Sequence, residues 1–454
     1  MFDQLQQILS RIDAEYADIR YETKHDTVIR FDGKELTQIG TNTTDGYVLR
    51  VLKHGGLASV VFTKASDAEQ AARTALENAE LIANRLTKPI QFAPAEVVQE
   101  SFSPPLSEDP RDVSMTEKLD LVQAYNAIPL GHDQIATTTF NYAELIREKY
   151  FLNTEGTELR EDLVTTRLVG LITSKDGHVT QNVRVSTGGS HGFAPVRNQE
   201  AYVEQRTKIA LDLLKARPVK GGVYNVVLNP SLAGVFTHEA FGHFSEADII
   251  ETLPAMREKM RIGGKLGHDA VNIVDNATLP DQVGFYKYDD EGVKVRPVQL
   301  MRAGVLTGRL HSRRTAAEFS EPVSGHCVAE DYRYAPMVRM GTIFIEPGSH
   351  TFDALLARLD DGLYICDAKG GQTEGENFTF GAQYGYVVKQ GKINELIRDI
   401  NISGNLYQTL QDITAVGDDF VLSKAGGCGK GQLNIRSCHG GPHILVNQLV
   451  VGGV

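Results

Sequence analysis

At roughly 100–200 residues per domain, a chain of 454 residues predicts two or three domains. With 41% hydrophobic and 23% charged residues, it is neither intrinsically disordered nor collagen-like. Its net charge of −12, from 46 Lys+Arg against 58 Asp+Glu, has the wrong sign for phosphate neutralisation, so no direct nucleic-acid contact is expected.

Phe2, Leu5, Ile8, Leu9 and Ile12 recur at helical spacing and predict an amphipathic helix over 2–16. Residues 18–63 read as strands, with turns at Asp32-Gly33 and Gly55-Gly56. Ser66, with Glu69 at capping-box spacing, opens a helix that runs to Leu86. The stretch holding Pro94, Pro104, Pro105 and Pro110 reads as a linker. Next come a helix over 114–127, several strands over 133–190 with a turn at 153–156, and a long helix over 198–217. A strand over 222–228 then leads into Asn229-Pro230, a good N-cap followed by a residue pre-organised for the first helical turn. The helix starting there should carry residues 231 to about 250. From 270 onward short strands and glycine turns dominate, with a helix near 352–361.

The expected fold is α+β. N-terminal helices should pack on an antiparallel sheet, and a C-terminal, mainly antiparallel β domain should carry the helix of residues 231–250. The expected divisions are 1–93, 94–218 and 219–454, with the main boundary near 218–222. The N-terminus shows no basic leader followed by an apolar stretch, and no apolar run nears the ~18 residues that span a bilayer. A cytoplasmic protein with no membrane contact is therefore expected. Four cysteines, all in the last third of the chain, do not make a secreted disulfide framework.

The helix after Asn229 contains Thr237-His238-Glu239-Ala240-Phe241-Gly242-His243. This H-E-x-x-x-H pattern is one residue longer than the zinc-peptidase H-E-x-x-H. Residues at i and i+4 share a helical face. Residues at i and i+5 lie about 140° apart at 3.6 residues per turn. Two imidazoles so placed share one ion only if the helix is deformed. Gly242 makes a π-bulge or a local unwinding inexpensive, so a deformation is predicted between Glu239 and Phe244. Without it, His238 and His243 are ordinary helix residues and Glu239 is a surface charge.

A catalytic zinc site takes three protein ligands and leaves a position open. Cys428 is the best candidate for the third. Glycines flank it on both sides, and Lys430 nearby favours a thiolate. The competing reading of Cys428 is a small buried hydrophobe. Cys438-His439 is a rival ligand pair, while Cys327 and Cys366 read as core.

Taken together, these residues resemble the TldD/PmbA family, historically called modulators of DNA gyrase. The family pattern H-E-A-x-G-H-x-x-E-x-D is matched throughout from His238 to Asp248. Cys428-Gly429-Lys430-Gly431-Gln432 is similar to the C-G-K-x-G-Q element of the TldD branch, but one residue shorter before Gln432. Gly370-Gly371-Gln372 with Phe378-Thr379-Phe380-Gly381 looks like a further family block, and Val450-Val451-Gly452-Gly453 like the family's ending.

PmbA/TldE-type subunits lack the histidine motif, so the chain resembles the TldD-type, zinc-dependent peptidases. The resemblance implies Zn²⁺ held by His238, His243 and Cys428, with Glu239 as general base. It also implies a dimer with an identical chain or a PmbA-type partner, whose active site ends a channel that accepts unfolded peptides or small unstructured proteins. The shortened element keeps Cys438 open as an alternative ligand. Glu246 and Asp248 read either as carboxylates orienting the imidazoles or as a solvated helix end. Residues 370–390 and 426–453 suit main-chain recognition of an extended peptide. The alternative function is a non-catalytic peptide-binding or scaffold subunit with a structural or absent metal. Glu239 argues against it, because a structural site needs four protein ligands and no adjacent base.

Overall fold

The computed structural model describes residues 1–452; Gly453, at the end of the family-like tail, lies outside the described residues. Residues 16–189 form one sheet. Its long strands are β1 (Tyr16–Asp32), β2 (Glu35–Lys53), β5 (Ile135–Asn153) and β6 (Glu158–Asp176). They are joined by β3 (Gly56–Phe62), β4 (Gln99–Phe102) and β7 (Val179–Gly189). The order is β3-β2-β1-β5-β6-β4, with β7 also on β6. All pairs are antiparallel except β4 with β6.

Four helices cover one face of this sheet: α1 (Phe2–Leu9), α2 (Ala68–Ala83), α3 (Met115–Leu130) and α4 (Glu200–Asp212). Ile19 and Ile29 of β1 project to the same side. Ile19 meets α1 and α2; Ile29 meets α3 and α4. The expected α+β arrangement is observed.

Several local expectations shift. Helix α1 stops at Leu9 rather than at 16, because Tyr16 and Ala17 are already strand residues. The capping box at Ser66 does not form. A 3₁₀ turn over Ala65–Asp67 precedes α2, and the Ser66 hydroxyl bonds Asp67 instead. The second hairpin turn falls one residue earlier than expected, on His54 (φ 53°) and Gly55 (φ 78°). Gly56 then begins β3, where a Cβ would strike the Ala79 carbonyl of α2. The buried alanines 71, 72, 75 and 79 permit that close approach. The proline stretch is no free linker, since Gln99–Phe102 pairs with Glu158–Glu161 at the sheet edge.

Beyond α4 the chain builds two further sheets. The eight-stranded one runs Gly362–Glu374, Gly222–Leu228, Ile444–Gly452, Ile400–Asn405, Asn377–Lys389, Lys392–Arg398 and Arg217–Pro218, with Ile413–Val416 beside Ile444–Gly452. The six-stranded one includes Thr342–Ile345, Cys438–Gly441 and Val421–Leu422. Most pairs are antiparallel, but Gly222–Leu228 runs parallel to Gly362–Glu374, Arg217–Pro218 parallel to Lys392–Arg398, and Thr342–Ile345 parallel to Cys438–Gly441.

A helix, α5 (Pro230–Phe236), lies between these sheets and buries Leu232, Ala233 and Phe236 among Val226, Ile365, Ile343 and Ile444. Each large side chain so buried contributes about 1.5–3 kcal/mol. A Cβ on Gly234 would meet the Gly440 backbone at 2.7 Å, so helix and strand touch without side chains between them.

Buried ion pairs join the N-terminal sheet to the segment 289–331. Arg20 meets Asp290 at 3.1 Å, Lys149 meets Asp290 at 3.1 Å, and Arg50 meets Glu291 at 2.9 Å. Buried charges are tolerated when paired in this way.

Candidate metal centre

The site grows out of the N-terminus of α5. The Asn229 side chain accepts from the Leu232 N–H at 3.0 Å, as the sequence predicts, and a cap of this kind contributes about 1 kcal/mol. It also grips Asp367, donating to Oδ1 at 2.8 Å and accepting from the backbone N–H at 3.1 Å. That ties the helix start to the strand Gly362–Glu374.

The α-helix ends at Phe236, and a π-helical segment runs over Thr237–Gly242. The deformation predicted between Glu239 and Phe244 is present and begins two residues earlier. The wider turn brings residues i and i+5 onto one side. The His238 and His243 rings accordingly face each other edge-on, centroids 5.4 Å apart. Gly242 permits this, because a Cβ there would collide with Met340. The single helix expected to about 250 is broken instead at Glu246 (ψ 112°), and a separate turn spans Ala247–Glu251.

Cys428 arrives from the other end of the chain. Its backbone N–H and C=O both pair with Ile435, at 3.0 and 2.9 Å, which closes a small loop with Gly431 at φ 68°. Gln432 anchors that loop by accepting from the Glu330 N–H and donating to the Ala335 carbonyl. The loop sets the Cys428 Sγ 3.5 Å from His243 Nε2. One donor atom each from His238, Glu239, His243 and Cys428 lies within 4.8 Å of all the others. Cys438 stands outside this group. It is buried, donates to the Ser423 carbonyl at 2.9 Å, and its thiol is pushed up to about 12 by burial. Its neighbour His439 does approach, with its ring 5.6 Å from that of His238. Cys327 and Cys366 are core, as expected.

The electrostatics differ across the group. Burial holds His238 well below its ordinary value, assisted by repulsion from His439, His243 and Arg339. Its Nδ1 is buried with no hydrogen-bond partner among the described residues. Burial alone would also depress His243, but hydrogen bonds to Cys428 and Glu246 outweigh it and raise the imidazole to about 10. Glu239 is pushed upward by burial. It lies 3.7 Å from His243 Nε2 and keeps a third of its side chain exposed.

Behind the group, Glu246 is fully buried, 3.3 Å from His243 Nδ1 and 2.9 Å from Lys430 Nζ. Burial would raise this carboxyl, yet His243, Arg339 and Lys430 bring it to about 2. Of the two readings of Glu246, the solvated helix end is the one set aside. Lys430 does not attend the thiol, as the sequence suggested. Its ammonium is taken up by Glu246, Asp248 and the Val338 carbonyl.

Arg339 escaped the sequence reading. It is fully buried, 3.6 Å from Glu246, with none of its side-chain nitrogens hydrogen-bonded among the described residues. The only sequence signal was a lone charge in the apolar run 337–340.

This donor set fits a divalent ion such as zinc: two imidazoles, a thiol, an unpartnered buried ring nitrogen and an adjacent carboxylate. Glu239 also opens onto a cavity of about 490 Å³ between β7, α4, the π-helical segment and the strand Gly362–Glu374.

Known proteins share the architecture and the sequence. Profiles of the PmbA/TldA metallopeptidases match here as domain 1 (residues 17–79), the central domain (108–217) and the C-terminal domain (221–453). A metalloprotease of Synechocystis sp. is 34% identical over 443 residues, covering 97% of this chain and 95% of its own. One from Methanothermobacter thermautotrophicus is 32% identical, covering 99% of both chains. A zinc metalloprotease TldD homolog of Saccharolobus solfataricus is 32% identical over 74% of this chain and 75% of its own. Among solved structures, a Thermotoga maritima protein named as a modulator of a DNA gyrase superposes with a TM-score of 0.81 at 19% identity, over 100% of both chains. TldE from Thermococcus kodakarensis does so at 0.76 and 16% identity, again over 100% of both chains. The two superpositions speak for the fold, and the sequence matches for the lineage: the chain belongs to the PmbA/TldA metallopeptidase family and is a metallopeptidase.

Proposed function

We propose that the chain is a zinc-dependent peptidase of the TldD type, acting on unfolded peptides or small unstructured proteins. The observation that carries this reading is the convergence of the His238, His243, Cys428 and Glu239 donor atoms within 4.8 Å. His238, His243 and Cys428 would hold the ion, with the Glu239 carboxylate close beside them. A zinc ion so held supplies Lewis acidity toward a carbonyl and lowers the pKa of water toward 7. The printed name of the Saccharolobus relative supports zinc as the metal.

The chain's own groups divide the remaining work. Glu239 takes a proton from the attacking water at a carboxylate oxygen and delivers it to the leaving amine. Burial moves its pKa upward, toward the range useful for that exchange. Glu246 orients His243 through Nδ1, and Lys430 and Arg339 keep that carboxylate ionised. Glutamine at position 246 should therefore weaken zinc binding about 10–100-fold, measured by competition with a chromogenic chelator. Unchanged affinity would mean that Glu246 serves only the fold.

Substrate enters through the cleft onto which Glu239 opens. Gly370 and Gly371 lie along its wall, where an extended peptide can approach the backbone. The family resemblance supports a dimer with an identical chain or a PmbA-type partner, and the sequence supports a cytoplasmic setting. No described helix is long and apolar enough to cross a membrane.

Elemental analysis combined with a peptide digest tests the reading. Treatment with a strong chelator should remove stoichiometric zinc and abolish hydrolysis, and added Zn²⁺ should restore both. Undiminished hydrolysis by the metal-free protein would refute it.

A further inference from the structure

The cleft beside Glu239 has an uneven charge. Ser231, Val235 and Glu239, spaced four residues apart, line its floor; Glu239 belongs to the metal centre, and His439 packs its ring 5.6 Å from that of His238. The only other lining carboxylate among the described residues is Asp367, which is neutralised by Arg206 at 2.6 Å. Two more cations line the same space. Arg184 comes from β7 and Lys424 from the segment after Val421–Leu422. Neither side chain makes a hydrogen bond or an ion pair among the described residues, although the Arg184 backbone is fixed. Its N–H donates to Gln383, and its carbonyl accepts from Arg206. Lys369, on the adjoining strand, is held below its usual range by burial and by the charge of Arg184. In a chain with 58 acidic residues against 46 basic ones, partners for two cations are not scarce. These two stay unpaired where the substrate path lies.

We propose that Arg184 and Lys424 form a carboxylate-reading subsite, so that the preferred substrates are peptides bearing an anionic group a few residues from the scissile bond. The inference rests on the peptidase reading and specifies its substrate class. Two sources of that carboxylate fit: an Asp or Glu side chain, or the free C-terminus of the peptide. Ion pairs of this exposed kind are individually weak, so two together give a preference of about tenfold rather than absolute selection.

Fluorescence anisotropy on the zinc-loaded Glu239→Gln protein measures this without turnover. The probes are one short neutral peptide with an amidated C-terminus, the same peptide with a free C-terminus, and an amidated series with a single Glu walked along it. At low salt, at least one carboxylate-bearing probe should bind about tenfold more tightly than the neutral one. The arm that gains affinity identifies the source of the carboxylate. The advantage should shrink as salt is raised, vanish in the Arg184→Ala/Lys424→Ala double variant, and return in Arg184→Lys with Lys424 intact. Equal affinity for every probe, or a preference that persists in the double variant, would overturn the proposal. A preference in binding without any cleavage by the unsubstituted, zinc-loaded chain would instead sink the peptidase reading and leave the subsite standing.

Discussion

Glu239→Gln should keep its zinc and lose peptide hydrolysis by a factor of about 10²–10⁴, or ~3–5 kcal/mol of transition-state stabilisation. Glutamine preserves the shape and hydrogen-bonding reach of the side chain but cannot accept the proton of the attacking water. The substitution should not disturb the fold. The side chain is a third exposed, and its nearest charged neighbour is His243 at 3.7 Å, so no buried charge loses its partner. Metal content by elemental analysis and kcat on a quenched-fluorescent peptide report the two halves separately. A variant with normal zinc and full kcat would remove Glu239 from the chemistry. A variant that lost its zinc would show that the carboxylate is a ligand rather than the base.

The second large effect separates two cysteines. Cys428→Ser should reduce zinc affinity by more than the ~10–100-fold that loss of an outer partner costs, and hydrolysis should fall to background. Cys438→Ala should leave zinc and kcat unchanged, because its thiol is spent on the Ser423 carbonyl. Its cost should appear in stability alone, as a lower melting temperature. The opposite pattern, with zinc lost from the Cys438 variant and retained by Cys428→Ser, would assign the third ligand to Cys438. The shortened element before Gln432 left that choice open in the sequence. In the structure the missing residue is absorbed by a tight loop, with Cys428 bridged to Ile435 and Gln432 bound to Glu330 and Ala335.

How far the site was legible depends on what sets each feature. The π-helical segment could be deduced because it answers a local geometric conflict: two histidines five residues apart with a glycine between them. The Asn229-Pro230 helix start was legible for the same reason, since a cap needs only its own neighbours. Long-range features were not. Nothing local shows that Glu246 is fully buried under Arg339 and Lys430, or that the helix must break there so that Ala247 can bond Leu310. Lys430 was misread because it stands two residues from Cys428 in sequence, while its ammonium reaches carboxylates more than 180 positions away. In the N-terminal half the α+β class followed from periodicity. The end of α1 and the start of α2 did not, because the sheet and the 3₁₀ turn before α2 override local propensity.

The central claim is that the π-helical turn gathers two imidazoles and one distant thiolate onto a single ion. X-ray absorption at the zinc edge of the purified, zinc-loaded protein tests it most directly. The expected first shell holds one sulfur at about 2.3 Å and two imidazole nitrogens at about 2.0–2.1 Å, with the remaining position filled by a light atom. A shell of nitrogen and oxygen without sulfur, or one with two or more sulfurs, would contradict it.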